Sequence, residues 1–256
     1  MIAFTENSFR NSKHVLCWYG LALQAGAINA GGFLACHSFV SHVTGVGTTI
    51  GIQIAAGNLL TAMELLIIPF SFMGGVIISA LLIDDRQAKG KAPAYAQVMG
   101  IIHFLLLLAF ISGKLGWLGE FGEPFEFFGD LFLVSILCMS CGLQNASIVS
   151  ATRGTIRTTH LTGILTDLGI YLIRIRHLKR FSKERYRQLI INRIRLGTFL
   201  IFSSGSALSS ALFLKFEYSG FILPCITSFI FFSISCIVNI RPDFLTRSKR
   251  VVNAST

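Results

Sequence analysis

The side chains best suited to chemistry occur in two copies. The first half of the chain carries Gly26-Ala27-Ile28-Asn29, then His42-Val43-Thr44-Gly45, then Gly51. The second carries Gly142-Leu143-Gln144-Asn145, then His160-Leu161-Thr162-Gly163, then Gly169. From Thr-Gly to the last glycine the spacing is identical, and Thr48 falls opposite Thr166. Between Asn and Thr-Gly the second copy is two residues longer, a small indel in a loop.

Each type in this set has a use. The amides of Asn29 and Asn145 both donate and accept hydrogen bonds, and an amide at membrane depth must find partners. His42 and His160 stand at matching positions, and imidazole titrates near neutral pH, so they can gate a path or carry protons; equally, they can be interfacial residues that cap a turn. Asp167 has no acidic counterpart, because Thr49 occupies the equivalent place. A carboxylate within a membrane is a functional candidate by default, and its lack of a twin points to asymmetric proton or cation coupling. The glycines admit a plainer reading, close helix approach.

Catalytic signatures are missing. The sequence has no Walker loop, H-E-x-x-H, Gly-x-Ser-x-Gly or dinucleotide fingerprint. His160 and Asp167 are two helical turns apart, roughly 10 Å along a helix axis, which is too far for direct pairing. Cys138-Met-Ser-Cys141 has the spacing of a redox or metal motif but lies in an apolar run with no second cysteine pair nearby, so packing is expected. The expectation is therefore no enzyme, no cofactor, no metal and no disulfide framework among the six cysteines.

The elements that hold these residues are membrane helices. Of 256 residues 53% are hydrophobic and 13% charged, with a mean hydropathy of +0.67; a soluble domain is about 25% charged. A net charge of +10 can suggest nucleic acid, but the basic residues sit between apolar runs rather than on a soluble face, so no nucleic-acid partner is expected. Apolar segments long enough to span run near 15–35, 65–83, 97–118, 127–150, 196–214 and 220–240. Two more, near 43–60 and 159–173, are broken by Gly, Thr, Asn, Gln or Asp. The first segment, although it follows Arg10 and Lys13 as a secretory signal would, is read as a retained helix because its far end carries the repeated motif.

Basic residues set orientation. The block from Arg174 to Arg195 marks a cytoplasmic loop, able also to lie on anionic lipid. Arg10 and Lys13, then Arg86, Lys89 and Lys91, and finally Arg241, Arg247, Lys249 and Arg250 belong to the same side, so both termini are expected in the cytoplasm. Glu120, Glu123 and Glu126 mark the outside, with Lys114 and Asp130 snorkelling near that boundary. An even number of crossings must separate the N-terminus from the Arg86 loop, yet three apolar segments lie between. The same parity problem recurs before Arg174. In each place the short polar segment is expected to enter and leave by one face, as a re-entrant helix. An eight-span alternative needs one basic loop to be translocated.

The fold expected is thus all-α: a single membrane domain, 1–256, of about six spanning helices plus two re-entrant half-helices. Three crossings per copy place repeat 1 (about 15–118) and repeat 2 (about 127–240) in an inverted arrangement. The duplicated Gly-x-x-Asn, His-x-Thr-Gly and downstream Gly resemble those of the YoaK-like family of multi-spanning bacterial membrane proteins, whose function is unknown. Family members often carry Asp where Asn29 stands and Thr-Gly-Asn where Thr44-Gly45-Val46 stands. Those departures argue against carrying over a charge-based mechanism.

Backbone that is irregular at membrane depth survives only where protein or water satisfies it. Paired re-entrant segments therefore imply a polar site near the midplane, with helix N-termini converging on it. The expected function is an inner-membrane transporter or channel for a small polar or anionic solute. Its path would involve Asn29, His42, Thr44, Gly45, Thr48, Asn145, His160, Thr162, Gly163, Thr166 and Asp167. The alternative is a non-transporting scaffold or subunit whose basic loop binds lipid or a partner, with the repeated residues closed in a dry contact. Partners expected are the bilayer and an unidentified solute, with the oligomeric state left open.

Overall fold

A computed structural model describes residues 12–123, 127–180 and 182–240. Arg10, Glu126, Arg241, Arg247, Lys249 and Arg250, used above as orientation markers, lie outside the described residues. Among those described the chain is helix and turn, without strand. The helices are α1 (Ser12–Cys36), α2 (Val43–Ala55), α3 (Leu59–Leu65), α4 (Ile67–Ala80), α5 (Arg86–Ala88), α6 (Tyr95–Lys114), α7 (Phe127–Thr152), α8 (Leu161–His177), α9 (Lys183–Phe216) and α10 (Ile222–Ile240). α3, α4 and α5 run on as one helical stretch, Leu59–Ala88.

Among the described residues four stretches are long and apolar enough to cross a membrane: Leu59–Ala88, Tyr95–Lys114, Gly129–Thr152 and Lys183–Val238. The last is folded at Glu217, whose φ of 50° ends α9 and lets α10 turn back against α6 and α1. α1 adds 25 residues, its hydropathy lowered by its glycines and amides. By contrast α2 has 13 residues and α8 has 17, or about 20 and 25 Å of helix. Large apolar side chains such as Ile52, Leu60, Phe104 and Leu214 stand on the outer surface, 60–77% exposed. A surface of this kind fits lipid and not water. The chain is a polytopic helical membrane protein.

α1 and α7 form the centre. Leu21, Ile28, Leu133, Leu137 and Leu143 are fully buried there. The amide of Gln24 donates to Gln144 Oε1 at 3.1 Å, and Gln144 donates to the Leu21 carbonyl at 2.8 Å. Each central helix is then crossed by one helix from the other half at backbone distance. A Cβ on Gly26 would overlap the carbonyl oxygen of Phe202 on α9, and one on Gly142 would overlap that of Phe72 on α4. The return contacts match: Gly205 sits on the Leu23 carbonyl and Gly75 on that of Met139. Leu23 and Met139 each stand three residues before the repeated glycine. Equivalent residues of the two halves therefore make reciprocal contacts, and glycine is required because any side chain would hold the helices apart.

Three expectations are corrected. The segment Arg174 to Arg195 is not a loop: α8 continues to His177 and α9 begins at Lys183. Ser182 caps α9, its Oγ accepting from Arg185 N at 3.2 Å, and Lys, Arg, Gln and Leu are strong helix formers, so the helix starts well before the apolar run does. Asp130 does not snorkel; it is 4% exposed and in contact with Cys36. Its neighbour Gly129 packs on the Leu118 carbonyl, which draws the first turn of α7 beneath the end of α6. Gly51 and Gly169 do not serve helix contacts within this chain, since a Cβ on either would meet nothing within 4 Å.

Candidate functional site: the cavity between the repeated loops

Both central helices end on a non-glycine residue in the left-handed region, His37 (φ 51°) after α1 and Arg153 (φ 50°) at the end of α7. The chain then folds back along the helix it has just left. Asn29, well inside α1, donates to Ser41 Oγ at 2.6 Å and accepts from Ser41 N at 3.3 Å. Asn145 does the equivalent work in the second half, its Oδ1 accepting from Thr159 Oγ1 at 3.0 Å. Each repeated amide thus ties the returning loop to a central helix and fixes where the next helix begins.

That next helix starts in the same way in both copies. His42 (φ −102°, ψ 66°) precedes α2 and His160 (φ −95°, ψ 65°) precedes α8, and neither side chain caps its helix. The first intrahelical bonds are Val46 N to His42 O at 3.4 Å and Ile164 N to His160 O at 3.1 Å. The backbone N–H groups of the first turn therefore keep no intrahelical partner. Gly45 and Gly163 are explained by the imidazoles, which fold back over them: a Cβ would lie 2.9 Å from His42 Nδ1 in one copy and 2.7 Å from His160 Cε1 in the other. Thr48 and Thr166 spend their hydroxyls on their own helices, on the carbonyls of Thr44 (3.3 Å) and Thr162 (2.9 Å).

The two helix starts open onto one cavity of about 760 Å³. Asn29, His42, Thr44, Asn145, His160 and Thr162 line it, with Phe33, Phe39, Phe72, Phe202 and Arg157 among their neighbours. A second cavity of about 380 Å³ shares Arg157, His160 and Thr162 and adds Gly163, Thr166 and Asp167. Gly45 and Thr48 line neither. In the first half the corresponding region is smaller, about 140 Å³, lined by Thr49, Gln53 and Glu64.

Sequence reasoning missed the partner of Asp167. Its Oδ2 accepts from Arg195 Nη2 at 2.8 Å; Arg195 also donates to Asn192 Oδ1 at 3.1 Å and lies 4.7 Å over the Tyr171 ring. Within a block of arginines nothing marks Arg195 as different, and a separation of 28 residues gives no local signal. Arg157 Nη1 sits 3.3 Å from His160 Nδ1. His103, alone in an apolar helix, faces Ser228 Oγ at 2.9 Å. Among the described residues no group of three or more His, Cys, Asp or Glu is placed to hold a metal ion.

The model of the family described as protein of unknown function (DUF1275) matches residues 17–234. The chain belongs to that family. It is the family which the duplicated Gly-x-x-Asn and His-x-Thr-Gly strings resemble, and the DUF1275 match runs from α1 into α10, so it takes in both loops and the cavity. No curated protein and no solved structure matches the chain.

Proposed function

We propose that this DUF1275 protein is a transporter or channel for a small polar or anionic solute in the cytoplasmic membrane, and that the cavity between the repeated loops is its path. The observation that carries the proposal is that two uncapped helix N-termini, one from each half, face a single cavity. Free N–H groups and positive dipole ends are costly against lipid and useful against a solute. In this reading α2 and α8 are re-entrant half-helices, the two halves form an inverted repeat, and both termini are cytoplasmic. The basic segment around Arg86, Lys89 and Lys91 supports that orientation. The protein would be a conduit and not an enzyme. The cavity also weighs against the scaffold alternative, which needs the repeated polar residues closed on one another.

Site-directed thiol labelling tests this. Cysteine replaces Thr44 or Thr162 in a chain freed of its own six cysteines, and a membrane-impermeant maleimide is applied from each side in turn. Both positions should label, Thr44→Cys more readily from outside and Thr162→Cys from the cytoplasm, with protection once a transported solute is found. If neither labels from either side, the loops face lipid or dry protein and the conduit is refuted.

A further inference from the structure

We infer that the solute is an amphipathic monoanion: one carboxylate or similar group on a small apolar, ring-like body. The inference rests on the cavity being the solute path, and it draws its content from one position that the two halves build differently. Phe39 stands three residues before His42, and Arg157 stands three residues before His160. Both line the cavity. The Phe39 ring lies edge-on to His42 with centroids 6.0 Å apart, whereas the Arg157 guanidinium approaches His160 Nδ1 at 3.3 Å. The same loop position thus presents an aromatic surface at one side of the cavity and a fixed positive charge at the other.

The charged and aromatic side chains of the lining follow that division, among amides and hydroxyls contributed by both halves. Arg157 is the one fixed charge among the described lining residues, and no acidic side chain lines the cavity. A single guanidinium beside the α8 N-terminus suits one anionic group, which it can hold by paired N–H bonds. Opposite it, Phe33 stacks on Phe39 at 4.5 Å between centroids, and Phe72 and Phe202 enter from the two crossing helices. Four phenyl rings match a flat apolar body by stacking or edge contact. At about 760 Å³ the space is also far larger than a bare ion needs and falls within the usual range for organic ligands.

Benzoate is the probe. Binding of radiolabelled benzoate to the purified full chain in nanodiscs is measured with acetate, benzamide and benzylammonium as competitors. Benzoate should bind saturably. Acetate, which lacks the ring, and benzamide and benzylammonium, which lack the negative charge, should each compete at least tenfold more weakly. Arg157→Gln should weaken benzoate at least tenfold with unchanged melting and elution, and Arg157→Lys should restore part of it. Phe39→Ala should weaken benzoate while leaving acetate unchanged. Absence of saturable benzoate binding, equal competition by benzamide or benzylammonium, or an unaffected Arg157→Gln overturns the inference. Flux into proteoliposomes separates this from the broader reading: benzoate bound but never carried removes the conduit and leaves the monoanion site. Flux of another solute with no benzoate binding does the reverse.

Discussion

Replacing Gly26 by alanine places a methyl group on the Phe202 carbonyl oxygen and 3.0 Å from both the Phe202 carbonyl carbon and Ser206 N. All three are backbone atoms of α9, so no rotamer change relieves the overlap and the two helices have to part. Overpacking of a tight contact costs about 1–3 kcal/mol. The same crossing contains Gly205 on the Leu23 carbonyl, so separation loosens both points at once. Against this, alanine regains about 0.8–1 kcal/mol of helix propensity relative to glycine. Because both points loosen together, the overpacking cost falls at the upper end of its range, and the net expectation is a loss of about 2 kcal/mol, a factor of roughly 30 in the folded to unfolded ratio. Gly51→Ala is the internal control: nothing lies within 4 Å of its added methyl group, so only the propensity gain remains. Unfolding in mixed micelles, titrated with a denaturing detergent, compares the variants. Gly26→Ala and its counterpart Gly142→Ala should unfold earlier than the parent, and Gly51→Ala at the same point or later. Parental stability of Gly26→Ala would refute the close crossing.

Further outcomes follow from the polar contacts. Gln144→Leu should destabilise more than Gln24→Leu in the same titration, since Gln144 makes two of the buried bonds and Gln24 one of them. The double variant should recover part of the loss, because removing both partners leaves no amide stranded. Asp167→Asn should cost no more than about 1 kcal/mol, because the carboxylate is half exposed and screened. Arg195→Leu should cost more, since that side chain is only 11% exposed and also serves Asn192 and Tyr171. A melting comparison of the two single variants with the parent decides the order.

Much of this architecture can be read from the chain because membrane burial writes itself as length and hydropathy, and the duplication supplies an internal check. Asn29 and Asn145, His42 and His160, Thr44 and Thr162 fall around one cavity, as their matched order suggests. What hydropathy delimits, however, is the stretch that meets lipid, not the helix. That is why α9 begins at Lys183, inside a block that reads as a basic loop. Nor does residue type reveal what a side chain does when it has two uses. The paired amides serve first as ties for Ser41 and Thr159, and the paired glycines Gly45 and Gly163 make room for imidazoles rather than for helices. Asp167 and Arg195 meet through tertiary folding alone, and no periodicity announces such a pair.

The reciprocal crossings have a consequence for how such a chain can be divided. α1 finds its tight partner in α9 and α7 finds its own in α4, so each half lends the other the helix that the other lacks. A fragment ending near residue 123 would present the backbone groove at Gly26 with nothing to fill it. It could complete that groove only with an equivalent helix borrowed from a second molecule. Fusion of two such fragments into one polypeptide turns a mutual exchange between neighbours into a permanent internal embrace.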